Sequence, residues 1–169
     1  FHLWSSPENA IVIVQALAAR LSELDAAQAL LYQSNASKAI ADLRALDNAI
    51  AMRMKPLAGQ RFVSFHDASQ YFEAHYGLVS AGAVTLHPER GTSAHHMAEL
   101  RNDIKERAVG CVFHEPQFDA KRVENLLSGT DIKTVQLDPE AALIPPSVGL
   151  YRELLEHMAS SFEQCLKGD

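Results

Sequence analysis

Four short apolar runs follow Gly59, and segments of helical character separate them. The runs predict strands at residues 62–65, 83–86, 109–113 and 133–137. The segments around them predict helices at residues 68–76, 93–107 and 120–127, and a final helix at residues 147–166. Apolar strands joined by helical crossovers form parallel sheets that are covered on both faces and wound right-handed. The sequence therefore predicts an α/β fold with a four-stranded parallel sheet flanked by helices.

Two helices are predicted before this sheet. The first begins at Ser5-Ser6-Pro7-Glu8, which supplies a cap, a proline for the first turn and an acid, and it runs to about Leu24. Its apolar stripe needs a partner surface and consists of Ile11, Val14, Ala18 and Leu21. The second helix begins at Asp25 and contains no glycine or proline before Pro56.

This second helix has about thirty residues and a length of about 45 Å, which exceeds the width of a small domain. Such a helix usually braces two lobes, and the alternative is an ordinary long helix of a bundle. We therefore expect residues 1–24 to be the tail of one lobe, residues 25–57 to be the connecting helix, and residues 58–169 to be an α/β lobe.

Composition narrows the class of protein. The chain has 169 residues, 47% of them hydrophobic, which is enough for one good core without metal or disulfide staples. A net charge of -6 argues against a nucleic-acid partner and is compatible with a cationic ligand. We find no signal peptide, and the longest uncharged apolar run, residues 9–19, is too short to span a bilayer. The apolar start, Phe1-His2-Leu3-Trp4, suggests a portion of a longer protein.

Polar side chains follow the predicted strands. His66 comes at the carboxyl end of the first strand, where Asp67 can act as N-cap of the next helix. Carboxyl ends of parallel strands share one edge, where ligands bind. That edge would also hold four further residues: His87, His114, Glu115 and Asp138. Imidazole and carboxylate together are ligands of Zn²⁺ or Mn²⁺, with Zn²⁺ favoured where nitrogen predominates. Each residue has an alternative as a turn or capping residue.

The other histidines lack chelating spacing. His95 and His96 are consecutive on a helix and point about 100° apart, so we interpret them as surface residues. His75 and His157 sit within helices without carboxylate or histidine partners at chelating spacing, and receive the same interpretation. The sequence has no nucleophile elbow, HExxH, CxxC or glycine-rich phosphate loop. We therefore predict a protein that is not an enzyme.

Cys111 lies in a predicted central strand, and Cys165 lies in the last turn of the predicted final helix. A bridge between them would tie the C-terminus to the sheet and imply an oxidising compartment. The residues alone leave two buried thiols as an equal alternative, since geometry decides whether two thiols can bond.

Several motifs together resemble one family over essentially the whole chain. They are His2-Leu3-Trp4, FHDASQYFEAHYGL at 65–78, CVFHEPQF at 111–118, LDP at 137–139 and the terminal Cys165-Leu166-Lys167-Gly168-Asp169. In this order they resemble the high-affinity zinc-uptake solute-binding proteins of the ZnuA type. These are periplasmic proteins that feed ABC transporters. The chain resembles their C-terminal portion.

The resemblance implies a fold and a ligand set. It implies two α/β lobes joined by a rigid helix, with Zn²⁺ held as cargo between them by His2 and His66. Asp138 matches an aspartate that related zinc and manganese binders use, and we rank it below the histidines. A third histidine of the family belongs to the first lobe, which this sequence lacks. The resemblance also favours a disulfide between Cys111 and Cys165.

Two departures from the family pattern bear on the site. His114 stands where the family commonly has a small residue, so it could be an added ligand or face the core. Asp138-Pro139-Glu140-Ala141 replaces the usual LDPLG continuation, which alters the local loop.

We expect a carrier that passes Zn²⁺ to a membrane permease, and weak zinc binding by this chain alone. Without the first lobe, the stripe on the first helix would favour dimerisation. The alternatives are a manganese or iron carrier of the same superfamily and an adhesin-like metal-binding module.

Overall fold

The computed structural model of the chain describes residues 2–85, 93–119 and 121–167. The elements follow in this order: α1 Pro7–Leu24, α2 Ala29–Met54, β1 Arg61–Ser64, α3 Gln70–Tyr76, β2 Val79–Ala83, α4 Ala94–Glu106, β3 Cys111–His114, α5 Lys121–Leu127, β4 Lys133–Gln136 and α6 Leu150–Leu166. Single 3-10 turns precede α1 and lie on either side of α2.

The four strands form one parallel sheet in the order β2-β1-β3-β4. Successive residues of a strand face opposite sides, so Phe62 and Phe113 enter one core while Val63 and Val112 enter another. The first core packs against α2, α3 and α6, and the second packs against α4 and α5. The structure confirms the predicted α/β fold with a helix-flanked, four-stranded parallel sheet.

The first N-terminal helix begins where the sequence predicts, whereas α2 begins at Ala29 rather than at the predicted Asp25, because a 3-10 turn at Ala26–Gln28 precedes it. The Ser6 hydroxyl caps α1 by accepting a hydrogen bond from the Asn9 amide at 3.4 Å, and Pro7 takes the first helical position. Helix α1 packs against α2, so Ile11 and Val14 of the predicted stripe are half-buried. The more exposed apolar residues of α1 are Val12, Ile13, Leu17, Leu21 and Leu24.

Helix α2 contributes to the sheet's core through its C-terminal half. Leu46, Ile50 and Met54 are buried there, whereas Leu30 and Leu31 near its start are exposed. The 26 residues of α2 correspond to a length of about 39 Å. Arg53 anchors this end of the helix by an ion pair with Glu163 of α6 at 2.6 Å. One half of α2 therefore belongs to the sheet's core and the other half extends beyond it.

The disulfide is confirmed. Cys111 of β3 and Cys165 of α6 are bonded, with their Cα atoms 5.5 Å apart. Both half-cystines are buried. The bond fastens the last turn of α6 to the amino end of a central strand.

The predicted start of the second strand is wrong. Strand β2 begins at Val79 rather than at residue 83, because an edge strand of small, half-exposed residues gives little apolar signal. The Val84 and Thr85 amides still donate to the Ser64 and Phe65 carbonyls, and the predicted residue Leu86 lies outside the described residues.

Asp67 is not the N-cap of α3. The chain first turns, with the Ala68 amide donating to the His66 carbonyl at 2.8 Å, and the helix begins at Gln70 after Ser69. Asp67 instead accepts a hydrogen bond from the Gln70 side chain at 3.3 Å. Because of this turn the helix begins later in the chain, and His66 lies in an irregular segment at the sheet's edge.

Candidate metal centre

His2 and His66 meet at the carboxyl edge of the sheet. His2 lies just before the turn that leads into α1, and His66 follows β1. Their ring centroids are 5.6 Å apart, with the planes inclined by 64°. Two imidazoles from distant parts of the chain therefore share one small region.

Glu115 holds the ring of His66. Its Oε1 atom lies 2.5 Å from His66 Nδ1 and also accepts a hydrogen bond from the His66 amide at 3.3 Å. Glu115 is buried and follows β3, the neighbour of β1 in the sheet. A carboxylate bound to one ring nitrogen sets the tautomer and orientation of the imidazole. His66 Nε2 is therefore the nitrogen that remains for a metal ion.

Aromatic rings flank the two histidines. The Phe118 ring lies edge-on to His66 with centroids 5.8 Å apart, and it stacks on Phe65. The Trp4 indole lies edge-on to His2 with centroids 5.0 Å apart. These contacts restrict the rotation of each imidazole.

The carboxylate of Glu140 lies beside His2. Its Oε1 atom lies 3.2 Å from His2 Nε2, and its side chain is otherwise 52% exposed. The sequence interpretation did not select Glu140. The signal was present, because Glu140 belongs to the segment that departs from the family's usual LDPLG.

Asp138 organises its own loop. One carboxylate oxygen accepts from the Glu140 amide at 3.3 Å, and the other accepts from the Leu143 amide at 3.0 Å. The Gln117 amide group lies 3.4 Å from both Asp138 and Glu140. The structure therefore places Asp138 in the loop that carries Glu140, with its oxygens engaged by backbone amides.

The sequence also predicted His114 and His87 at this edge of the sheet. His114 ends β3 and is half-buried, and this burial lowers the pKa of its imidazole. The ring of His66, by comparison, contacts the rings of His2 and Phe118. His87 lies outside the described residues.

The helical histidines differ from one another. His95 is exposed and lies 3.6 Å from Glu99, and His157 is exposed as predicted. His96 is half-buried, with Nε2 3.0 Å from the Ala83 carbonyl oxygen.

The prediction that His75 lacks a carboxylate partner is wrong. His75 Nε2 lies 2.7 Å from Asp47 Oδ1, which also accepts a hydrogen bond from the Tyr76 hydroxyl at 3.0 Å. Asp47 belongs to α2, so sequence spacing within α3 could not reveal this pair.

Within residues 2–85, 93–119 and 121–167, no group of three or more His, Cys, Asp or Glu side chains is arranged to hold a metal ion. The described residues therefore supply a pair of imidazoles with adjacent carboxylates. They do not form a closed coordination shell.

Solved structures that share this helix-braced parallel sheet include ZnuA and a laminin-binding adhesin. A crystal structure of ZnuA matches with a TM-score of 0.84 and 26% identity, over 98% of this chain and 60% of that one. A mutant of the laminin-binding adhesin Lmb from Streptococcus agalactiae matches with a TM-score of 0.85 and 26% identity, over 98% of this chain and 62% of that one.

Residues 1–165 match the family model described as zinc-uptake complex component A, periplasmic, and the chain belongs to this ZnuA family. The high-affinity zinc uptake system protein of Paracoccus denitrificans is 37% identical over 169 residues, covering 99% of this chain and 52% of that protein. The protein of the same name from Brucella abortus is 36% identical over 165 residues, covering 98% of this chain and 49% of that protein.

The chain thus spans about half the length of the curated relatives it matches. In the part of the chain that the structure describes, no helix is long and apolar enough to cross a bilayer.

Proposed function

We propose that this chain supplies half of a zinc site in the periplasmic, zinc-capturing component of an ABC transporter. The observation that carries the proposal is the approach of His2 and His66, with ring centroids 5.6 Å apart at the carboxyl edge of the sheet. Imidazole nitrogen with a carboxylate is a ligand set that Zn²⁺ favours. Relatives at 36–37% identity carry the name of zinc uptake proteins.

In this proposal His2 and His66 bind Zn²⁺ through Nε2. Glu140 is the first candidate for a carboxylate ligand because it already lies beside His2 Nε2. Asp138 remains a second candidate, but it would have to give up the amide hydrogen bonds that shape its loop. Such a change costs more than a side-chain rotation of the exposed Glu140.

The remaining ligand would come from outside the described residues, as the family's third histidine in a first lobe would. Residues 1–24 would then belong to that lobe, residues 25–57 would connect the lobes, and residues 58–169 would form the second lobe. Helix α2 is well suited to a connecting role because only one of its halves packs into the sheet's core. Zinc delivery to the membrane permease requires no catalytic step on the ion.

Zinc competition against a chelator of known affinity tests the ligand roles. We expect His2→Ala and His66→Ala each to weaken Zn²⁺ binding by at least about tenfold, because each removes a direct ligand. The control is His95→Ala, since His95 is an exposed histidine on α4. Unchanged zinc affinity in the His2 or His66 variant would contradict the proposal.

Metal content separates the carrier types. The matched structures include a solute-binding protein from Pseudomonas aeruginosa in complex with Mn²⁺, whose 24% identity reflects the fold alone. We expect zinc to outcompete Mn²⁺ and Fe²⁺ because two imidazoles dominate the ligand set. Mass spectrometry after equilibration with all three ions would measure this preference, and predominant Mn²⁺ or Fe²⁺ would favour the alternative.

The similarity to Lmb supports a second candidate, a metal-binding adhesin-like module. Deletion of the gene distinguishes the two functions. A transport component is expected to be needed for growth under zinc limitation, whereas an adhesin-like module is not.

A further inference from the structure

The segment that carries His2 is held by hydrogen bonds along its backbone. The His2 carbonyl accepts from the Ser5 amide at 3.0 Å and from the Ser5 hydroxyl at 2.9 Å. The Leu3 carbonyl accepts from the Asn9 side chain at 3.0 Å. Ser5 is fully buried, so its bond to His2 is shielded from water. His2 therefore projects from a fixed turn.

Trp4 links this turn to two other parts of the fold. Its indole N–H donates to the Pro139 carbonyl at 3.1 Å, and its own carbonyl accepts from the Tyr151 hydroxyl at 2.7 Å. Pro139 lies in the loop between β4 and α6, and Tyr151 lies in the first turn of α6. Trp4 thereby joins the His2 turn to the loop that carries Glu140.

The peptide unit between Pro139 and Glu140 is held from both ends. The Pro139 carbonyl accepts a hydrogen bond from the Trp4 indole. The Glu140 N–H donates a hydrogen bond to the Asp138 carboxylate. The proline ring also fixes the preceding φ angle. A peptide plane restrained in this way sets the direction in which the Glu140 side chain leaves the backbone.

We propose that Trp4 is a positioning residue that holds the Glu140 carboxylate beside His2 and thereby raises the zinc affinity of the site. This inference rests on the proposed function and adds a residue that would not touch the ion. Preorganised ligands bind more tightly because less conformational freedom is lost on binding. Removal of a residue that orients a metal ligand typically costs 10–100-fold in affinity.

Trp4 is partly exposed, so a positioning role can be tested without disturbing the buried core. Trp4 is 38% exposed and lines an open cleft of about 490 Å³ between α1, α2 and the start of α6. A Trp4→Phe variant keeps an aromatic ring against His2 but removes the N–H donor. We therefore expect the fold to tolerate this variant.

A double-mutant cycle tests the proposal. We expect Trp4→Phe to weaken Zn²⁺ binding about tenfold when Glu140 is present, and less than about twofold in a Glu140→Gln background. A general structural role predicts the same loss in both backgrounds. Equal losses, or no loss from Trp4→Phe alone, would overturn the positioning role.

A second measurement needs no metal. Trp4 is the single tryptophan of the chain, so it has one indole N–H signal in a nitrogen-15 NMR spectrum. We expect slowed hydrogen exchange of this N–H in the metal-free protein, because it donates to the Pro139 carbonyl. Rapid exchange would overturn the positioning role of this hydrogen bond. If the N–H is protected but His2→Ala and His66→Ala leave the zinc affinity unchanged, both the proposed function and the positioning role fail, and only the hydrogen bond remains. If zinc binds and the cycle is additive, the positioning role alone fails.

Discussion

His66 and Glu115 form a pair between the ends of two adjacent strands, with Nδ1 and Oε1 2.5 Å apart. Both residues follow parallel strands, β1 and β3, which places them at the same edge of the sheet. Glu115 makes a second bond to the His66 amide, so it holds the backbone and the ring together. The carboxylate therefore determines which imidazole nitrogen faces the candidate metal centre.

We predict that Glu115→Ala weakens Zn²⁺ binding by about 10–100-fold, because the His66 ring loses the partner that orients it. Glu115→Gln keeps an acceptor oxygen and should lose less. Chelator competition measures both effects. The control is Glu99→Gln, which changes an exposed carboxylate beside His95. Unaltered zinc affinity in Glu115→Ala would show that His66 does not depend on this pair.

Glu73 makes stability depend on pH. Burial raises the pKa of its carboxyl from 4.5 to about 7, against the lowering effect of the hydrogen bond from the Ser69 hydroxyl. The folded protein therefore binds a proton that the unfolded chain has already released between about pH 4.5 and 7. Stability should fall as pH rises through this window, by up to roughly 3 kcal/mol.

We predict that Glu73→Gln removes this contribution, so that the variant gains stability over the wild type as pH rises from 5 to 8. Chemical denaturation at a series of pH values measures the difference in the free energy of unfolding. The control is Glu124→Gln on α5, since Glu124 is exposed. A difference between wild type and Glu73→Gln that does not change with pH would refute the assignment.

Asp47 joins the long helix to α3. Asp47 accepts a hydrogen bond from the Tyr76 hydroxyl and pairs with His75. Burial of Tyr76, together with the negative charge of Asp47, raises the pKa of the Tyr76 hydroxyl. Asp47→Ala should lower the free energy of unfolding by about 1–3 kcal/mol, because two partly buried polar groups lose their acceptor. Urea denaturation measures this loss.

The matched control is Asp42→Ala on the same helix. Asp42 pairs with Lys38 at 2.8 Å on the exposed surface, where the gain from an ion pair is small. We therefore expect a clearly smaller loss than for Asp47→Ala. Equal losses would mean that the contacts of Asp47 do not stabilise the fold beyond an ordinary surface pair.

The disulfide between Cys111 and Cys165 should stabilise the fold. The two cysteines are 54 residues apart in sequence, and closing a loop of this size contributes about 2–5 kcal/mol, chiefly by restricting the unfolded chain. Adding a reductant should lower the denaturation midpoint of the wild type. It should leave a Cys111→Ala, Cys165→Ala double variant unchanged, and a wild-type midpoint insensitive to complete reduction would contradict the prediction.

Some outcomes follow from local patterns in the sequence. The apolar runs at β1, β3 and β4 predicted three strands close to their observed bounds, because buried strands produce continuous hydrophobic segments. The Ser6 cap and Pro7 predicted the start of α1. The position of His66 after β1 also followed from the pattern, and resemblance to the family indicated His2 and the disulfide.

Other features depended on contacts between residues that are far apart in the chain. The edge strand β2 gave too weak an apolar signal to fix its start, and the turn after His66 displaced the helix from Asp67. The pairing of Asp47 with His75 crosses two helices. Such contacts depend on the relative placement of elements, which local periodicity does not encode.

The amino-acid sequence by itself determined the class of fold, since alternating apolar strands and helices can bury their surfaces only by packing in layers. It also indicated that imidazoles and carboxylates gather at one sheet edge. Only the tertiary structure decided that Glu115 orients His66, that Glu140 lies beside His2 and that Asp138 shapes the loop. Those assignments depend on side-chain distances of a few ångströms, which are set by how strands, loops and helices pack against one another.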